Sequence, residues 1–149
     1  MSVTASVVEQ EVRIDADPET VFEFFTDPEK MVRWKGREAE LDARPGGIYR
    51  VVINDRATAR GEYVEVDPPR RIVFTWGWEG DESPVAPGSS TVEIELLPDA
   101  GGTIVRLLHR DLPDERQREQ HAHGWGHFLA RLSEAAAGRD PGPDPMANA

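Results

Sequence analysis

The chain has 149 residues, 38% of them apolar, and its 28 acidic and 17 basic residues give a formal net charge of −11. This length fits one domain with its own core, and the lack of cysteine excludes disulfides, thiol nucleophiles and zinc–thiolate sites. The negative charge argues against nucleic acid and anionic membranes as partners, because both attract basic surfaces.

The first predicted element is a strand, and two short helices follow it. Apolar and polar residues alternate over residues 7–14, which is the pattern of a strand with one solvated face. Asp17-Pro18-Glu19 and Asp27-Pro28-Glu29 each place an N-cap residue before a proline at the first helical position. The two predicted helices therefore meet at a proline and form a bent arm.

Residues 37–110 predict six further strands. Turns rich in Gly, Pro and Asp separate them, and the short connections favour an antiparallel meander. The predicted strand at residues 57–66 has a face of small residues that also carries Tyr63. We place this face inward, because small residues leave volume beneath the long helix. The six predicted strands cover residues 38–43, 48–53, 57–66, 72–78, 91–97 and 103–109.

A long helix is predicted after residue 114, and it ends at Gly138. Its apolar stripe recurs at helical spacing and consists of His121, Trp125, Phe128 and Leu132. A twisted antiparallel sheet must cover its apolar face, and this helix carries the longest apolar stripe. We therefore predict an α+β fold in which a strongly curved seven-stranded antiparallel sheet wraps around the C-terminal helix.

The chain is predicted to form a single domain over residues 1–138. Residues 139–149 contain three prolines and no core-forming residue, so we expect a flexible tail there. No apolar run approaches the roughly 20 residues of a membrane helix, and no signal peptide is recognisable. These features predict a soluble cytoplasmic protein, and the excess of Arg, Ala, Gly and Pro over Lys is typical of a bacterium with a GC-rich genome.

Several motifs occur in a characteristic order: Ala16-Asp17-Pro18-Glu19-Thr20-Val21-Phe22, Trp34, Arg44-Pro45-Gly46-Gly47, Gly61-Glu62-Tyr63, Asp67-Pro68-Pro69-Arg70-Arg71-Ile72-Val73-Phe74-Thr75-Trp76, Gly102-Thr103, His109, and Gly124-Trp125 ahead of Leu132. With these motifs, residues 7–137 resemble the helix-grip fold of the START and birch-pollen-allergen superfamily (SRPBCC). More narrowly, the chain is similar to bacterial proteins named after the C-terminal domain of the Hsp90 ATPase activator. The resemblance implies a cavity between the sheet and the long helix, and it brings in a chaperone- or stress-related role as an alternative.

Nine residues are candidates for contact with a molecule bound in such a cavity. Aromatic side chains would supply apolar walls, as is usual in small-molecule sites: Trp34, Phe74, Trp76, Trp78, Trp125 and Phe128. Three polar side chains would orient the molecule by hydrogen bonds: Tyr63, His109 and His121. The alternative interpretation is that the aromatic side chains fill the core and that the histidines bond to neighbouring carbonyl groups.

Other chemical motifs are weak or absent. His123 and His127 are four residues apart, but they lie opposite the apolar stripe, so we predict a solvated face and no metal site. No phosphate-binding glycine loop and no Gly-x-Ser-x-Gly elbow occurs, and no cofactor is predicted. Gly124 and Gly126 each weaken the long helix by roughly 1 kcal/mol, which indicates either a bend or a close approach of the backbone to another group.

Three functions remain open from the sequence. The leading hypothesis is non-catalytic binding of a small hydrophobic or aromatic molecule, such as a lipid or polyketide, by a monomer or homodimer. The second is a protein-interaction module of the Hsp90 ATPase activator type, with a chaperone or another protein as partner. The third is a cyclase- or hydrolase-like enzyme, in which His109, His121 or an inward acid acts on a substrate in the same cavity.

Overall fold

The computed structural model describes residues 7–148, and its elements follow the predicted order. Its strands are β1 (Val8–Ile14), β2 (Glu38–Leu41), β3 (Ile48–Asn54), β4 (Ala57–Asp67), β5 (Arg71–Trp76), β6 (Ser90–Asp99) and β7 (Gly102–Arg110). Its helices are α1 (Pro18–Thr26), α2 (Pro28–Met31) and α3 (Glu115–Ala136), and a 3-10 helix follows at Pro145–Asn148. Residues 1–6 of the predicted domain and Ala149 of the predicted tail lie outside the described residues.

The seven strands form one antiparallel sheet in the order β1-β7-β6-β5-β4-β3-β2. The first strand therefore pairs with the last, and the other five extend the meander from there. Register shifts in the β3–β4 and β4–β5 pairs add local bends, and alternate side chains are buried on the concave face. The predicted α+β helix-grip fold is confirmed.

Aspartate side chains begin the helices as predicted. The Asp17 carboxylate accepts a hydrogen bond from the Thr20 amide at 2.8 Å, and the Asp27 carboxylate accepts one from the Glu29 amide at 2.9 Å. Asp114 caps α3 in the same way. Each cap satisfies an amide that the first helical turn leaves without a partner.

The long helix α3 crosses the concave side of the sheet and lies closest to β1. It buries the predicted stripe, in which Leu132 is completely covered. Its distance from β3, β4 and β5 is larger than its distance from β1. A wedge of space therefore remains between the first half of α3 and the ends of these strands.

The fifth strand ends earlier than predicted, at Trp76 rather than at residue 78. Gly77 lies so close to the Ala86 carbonyl that a Cβ atom there would come within 1.8 Å of the oxygen. The Trp78 amide then donates to the Val85 carbonyl at 2.7 Å instead of continuing the ladder with β6. The loop after β5 is thereby held against the strand end, and Trp78 is placed at the border of the wedge.

The C-terminal segment packs against the body of the protein, in contrast to the flexible tail predicted from its prolines. Asp144 Oδ1 lies 2.8 Å from His127 Nε2, and the Asn54 side-chain amide donates to the Met146 carbonyl at 2.8 Å. His127 is therefore partly buried and not on a solvated face, whereas His123 is exposed. Composition did not reveal this docking, because single polar contacts leave no periodic apolar pattern.

Candidate functional site

A cavity of about 570 Å³ occupies the wedge between α3 and the strand ends, and it is partly open to solvent. This size lies within the range of small-molecule pockets. Its lining is mostly apolar, and the residues that matter for its chemistry are Lys35, Trp76, Trp78, His121, Trp125 and Phe128.

Three indole rings meet at the cavity wall. The ring centre of Trp76 lies 5.1 Å from that of Trp125 and 5.3 Å from that of Trp78. Trp76 and Trp125 are buried, while Trp78 is partly exposed. Rings from a strand, a loop and a helix thus form one continuous aromatic surface.

The nine predicted residues divide into two groups. Five of them line the cavity: Trp76, Trp78, His121, Trp125 and Phe128. The other four are buried in the core away from the cavity lining: Trp34, Tyr63, Phe74 and His109.

The buried aromatic residues of the second group hold the core together. The Trp34 indole donates to the Phe24 carbonyl at 3.0 Å, and the Tyr63 hydroxyl donates to the Phe25 carbonyl at 2.8 Å. The first bond joins the two halves of the helical arm, and the second attaches the arm to β4. Phe74 stacks on a neighbouring tyrosine ring at 4.1 Å. Sequence periodicity showed that these side chains face inward, but it contains no information about depth along the core.

His109 lies behind the tryptophan wall, with both ring nitrogens in hydrogen bonds. The Trp125 indole lies 3.0 Å from its Nδ1, and Ser90 Oγ lies 2.8 Å from its Nε2. Because an indole N–H can only donate, Nδ1 accepts, and the proton of the neutral ring resides on Nε2. Burial, with smaller effects from the charges of His121 and Lys35, lowers the pKa of His109 to about 2.

His121 is held in the opposite tautomer. Its Nδ1 lies 2.8 Å from the Gln117 carbonyl, to which it donates, and its Nε2 accepts from the Trp78 indole at 2.9 Å. Burial lowers the pKa of His121, although the bond to Gln117 opposes this effect. Both histidines are therefore neutral, and neither has a lone pair free to act as a general base.

A buried lysine at the cavity was missed by the sequence analysis. Lys35 is 1% exposed, and its Nζ donates to the Tyr49 hydroxyl at 3.1 Å. Nζ also lies 4.0 Å from the ring centre of Trp76 and 4.2 Å from that of Trp125. Burial holds the pKa of the Lys35 amine well below its ordinary value.

The backbone after α2 directs this lysine inward. The Lys35 amide donates to the Met31 carbonyl at 2.9 Å, which continues the helical turn. Gly36 follows with φ of +84°, and a Cβ there would lie 2.7 Å from the Val52 carbonyl oxygen. Only glycine fits this left-handed position beside β3. The one sequence signal was the rarity of lysine, since 15 of the 17 basic residues are arginine.

The tryptophan at the centre of the wall has an unused donor. The Trp76 indole nitrogen is buried, and it has no hydrogen-bond partner within residues 7–148. Buried polar groups without partners are rare in folded proteins. This donor belongs to the ring on which the Lys35 ammonium group lies.

Close packing does not explain Gly124 in α3. Gly124 lines the cavity, and a Cβ at this position would meet no atom within 4 Å. At Gly126 a Cβ would touch the Gln10 side chain at 3.6 Å, an ordinary contact distance. The absent side chain at Gly124 therefore leaves room at the cavity.

Residues 7–148 contain no group of three or more His, Cys, Asp or Glu side chains placed to hold a metal ion. None of the helices in this range is long and apolar enough to cross a bilayer.

The curved sheet, the helix that it grips and the cavity between them define a helix-grip protein. A family model described as activator of Hsp90 ATPase homolog 1-like protein matches residues 15–137. The chain belongs to this AHSA1-like family, which confirms the resemblance predicted from its motifs.

Solved structures of similar proteins support this assignment. An AHSA1-like protein from Rhizobium etli is 49% identical, with 96% of this chain and 89% of that chain covered and a TM-score of 0.74. CalU16 from Micromonospora echinospora is 27% identical, with 89% and 76% covered and a TM-score of 0.70. An HSP90 activator from Plasmodium falciparum is 25% identical, with 85% and 93% covered and a TM-score of 0.70. No curated protein matches the chain.

Proposed function

We propose that the protein binds a small hydrophobic or aromatic molecule, such as a lipid or polyketide, in the cavity beside α3, without catalysis. The observation that carries this proposal is a cavity of about 570 Å³ walled by the indoles of Trp76, Trp78 and Trp125. Burial of apolar ligand surface would supply the binding energy, at about 25 cal/mol per Å². The hydrogen bonds of both buried histidines are already satisfied, which favours binding over acid–base chemistry.

The test is calorimetric titration with neutral probes of different shape, namely 2-naphthamide, flavone and decanol. Indole N–H signals in NMR spectra report contact with the cavity wall. We expect saturable binding of at least one probe, with shifts of the Trp78 and Trp125 signals. If no probe binds and no indole signal moves, the proposal is refuted.

A matched pair of variants on α3 locates the binding. Gly124→Leu places a leucine side chain at the cavity lining, and Ala130→Leu places the same side chain at an exposed position on the same helix. Gly124→Leu should weaken binding by about tenfold, which corresponds to roughly 1.4 kcal/mol, whereas Ala130→Leu should leave it unchanged. Equal affinities of both variants would place the probe outside the cavity.

The second candidate function is interaction with an Hsp90 chaperone. The family match over residues 15–137 and the similarity to an HSP90 activator from Plasmodium falciparum favour it. The test measures the ATPase rate of the host's Hsp90 with increasing amounts of this protein. Stimulation that saturates supports an activator role, and an unchanged rate contradicts it.

A further inference from the structure

The chain has two lysines, and their surroundings differ completely. Lys30 is partly exposed and forms an ion pair with Glu23. Lys35 is buried at the cavity and forms no salt bridge with any residue between positions 7 and 148. An ammonium group without a counter-ion is costly inside a protein, so the position of Lys35 requires an explanation.

The groups around Lys35 do not supply the missing charge. The Tyr49 hydroxyl accepts its one hydrogen bond, while His109 and His121 are neutral and bonded elsewhere. Glu79 is the one carboxylate in the cavity lining, and it pairs with Arg50 at 2.8 Å. Aromatic faces stabilise a cation only in part. The cavity thus holds a basic group that lacks an anionic partner.

A donor beside this lysine has no acceptor within residues 7–148. Lys35 Nζ lies 4.0 Å from the Trp76 ring centre, and the indole nitrogen of that ring is buried and unpaired. An oxygen atom brought by a ligand is the chemical group that both donors require. Apolar walls, a basic group without a counter-ion and an unpaired indole donor together indicate a ligand with a ring system and an acidic end.

We propose that the molecule bound in the cavity carries an anionic oxygen, as a carboxylate or phenolate, and that this oxygen pairs with the ammonium group of Lys35. This inference rests on the proposed binding function and names the chemical class of its ligand. An ion pair formed away from water is stronger than one at the surface. The anion also stabilises the protonated amine, so binding raises the pKa of Lys35 and favours proton uptake.

The choice of lysine in this arginine-rich chain agrees with this mechanism. A guanidinium group stays charged under all relevant conditions, whereas a lysine amine loses its proton when buried. Burial lowers the pKa of the Lys35 amine, so the amine gives up its proton more readily in the empty cavity than when an anion lies beside it. The titratable groups beside Lys35 or in the cavity lining are Tyr49, His109, His121 and Glu79. Burial raises the pKa of the Tyr49 hydroxyl, which keeps it protonated. Both ring nitrogens of each histidine are hydrogen-bonded, and Glu79 pairs with Arg50.

The experiment compares two probes of equal shape, 2-naphthoate and 2-naphthamide, by calorimetry at pH 8. Wild-type protein should bind the acid at least about tenfold more tightly than the amide. Lys35→Met should abolish this preference while retaining amide binding. Lys30→Met removes the other lysine and should behave as wild type.

Proton uptake provides a second readout. Titrations in phosphate and in Tris buffer, which differ in ionisation enthalpy, should show uptake of up to one proton for 2-naphthoate and none for 2-naphthamide. Equal affinity of the two probes, or an acid preference that survives in Lys35→Met, overturns the inference. Binding of the amide without an acid preference leaves the proposed function standing, whereas binding of neither probe contradicts both.

Discussion

Acidification should destabilise the protein through His109. The side chain is completely buried, and its folded-state pKa is lowered to about 2, mainly by burial. The ordinary pKa of histidine in an unfolded chain is about 6.5. Between these two values the unfolded chain binds a proton that the folded state excludes, so the free energy of unfolding decreases as the pH falls.

The size of this effect follows from the two pKa values. Each pH unit in the window lowers the free energy of unfolding by up to about 1.4 kcal/mol. From pH 6.5 to pH 5 the loss from His109 amounts to about 2 kcal/mol, and over the whole window it amounts to about 6 kcal/mol. Domains of this size are stable by about 5–15 kcal/mol, so this one side chain contributes strongly to acid unfolding.

Urea unfolding followed by tryptophan fluorescence measures the effect. His109→Gln is the comparison variant, because an amide can accept from Trp125 and donate to Ser90 but does not titrate. The stability difference between wild type and variant should fall by about 2 kcal/mol between pH 7 and pH 5. His121 and the carboxylates titrate in both proteins and cancel. Identical pH profiles of the two proteins would refute the reasoning.

Four further substitutions test the packing by thermal and urea unfolding. Gly61→Ala should lower the free energy of unfolding by about 3 kcal/mol, because its Cβ would lie 1.9 Å from a carbonyl oxygen of β5. Gly124→Ala, whose Cβ would meet no atom within 4 Å, should raise the free energy of unfolding by about 1 kcal/mol. A similar change in both would show that steric contact at Gly61 is not decisive. Lys35→Met should raise the free energy of unfolding at pH 7 by about 1 kcal/mol. It should also remove the increase in stability that wild type shows towards pH 10, where the amine of the unfolded chain loses its proton. A lower stability of the variant would mean that the Lys35 amine is well solvated. Asp144→Ala should remove the bond to His127 and lower the free energy of unfolding by about 1 kcal/mol. It should also speed amide hydrogen exchange in residues 141–148. Unchanged exchange would show that Asp144 does not hold the C-terminal segment in place.

The sequence correctly predicted the features that depend on neighbouring residues. The Asp-Pro pairs at Asp17 and Asp27 predicted both short helices, because capping and the fixed φ of proline act within a few residues. The apolar stripe through Trp125 likewise predicted the face that α3 buries. The predicted strand ran on to Trp78 whereas β5 ends at Trp76, because the contact that ends β5 comes from Ala86 in the following loop.

The candidate site was harder to predict, because a cavity is a property of several elements at once. Periodicity placed Phe74 inward, but only the packing of α3 on β1 decides which inward side chains border empty space. Lys35 carried no pattern that distinguishes it from a surface lysine. Its burial depends on the turn at Gly36 and on Trp76 and Trp125, which come from elements distant in sequence.

The sequence by itself determined the order of elements and the acidic, cysteine-free character of the chain, since each depends on composition or on contacts within a few residues. The resemblance of its motifs to helix-grip proteins supplied the architecture, which depends on distant pairings such as that of β1 with β7. The tertiary structure alone decided where the cavity opens, that the tail docks beside it, and that an unpaired lysine lies against two of its tryptophans. These features arise from the distance between α3 and the strand ends, which no single segment encodes. Sheet curvature and helix placement set this distance jointly.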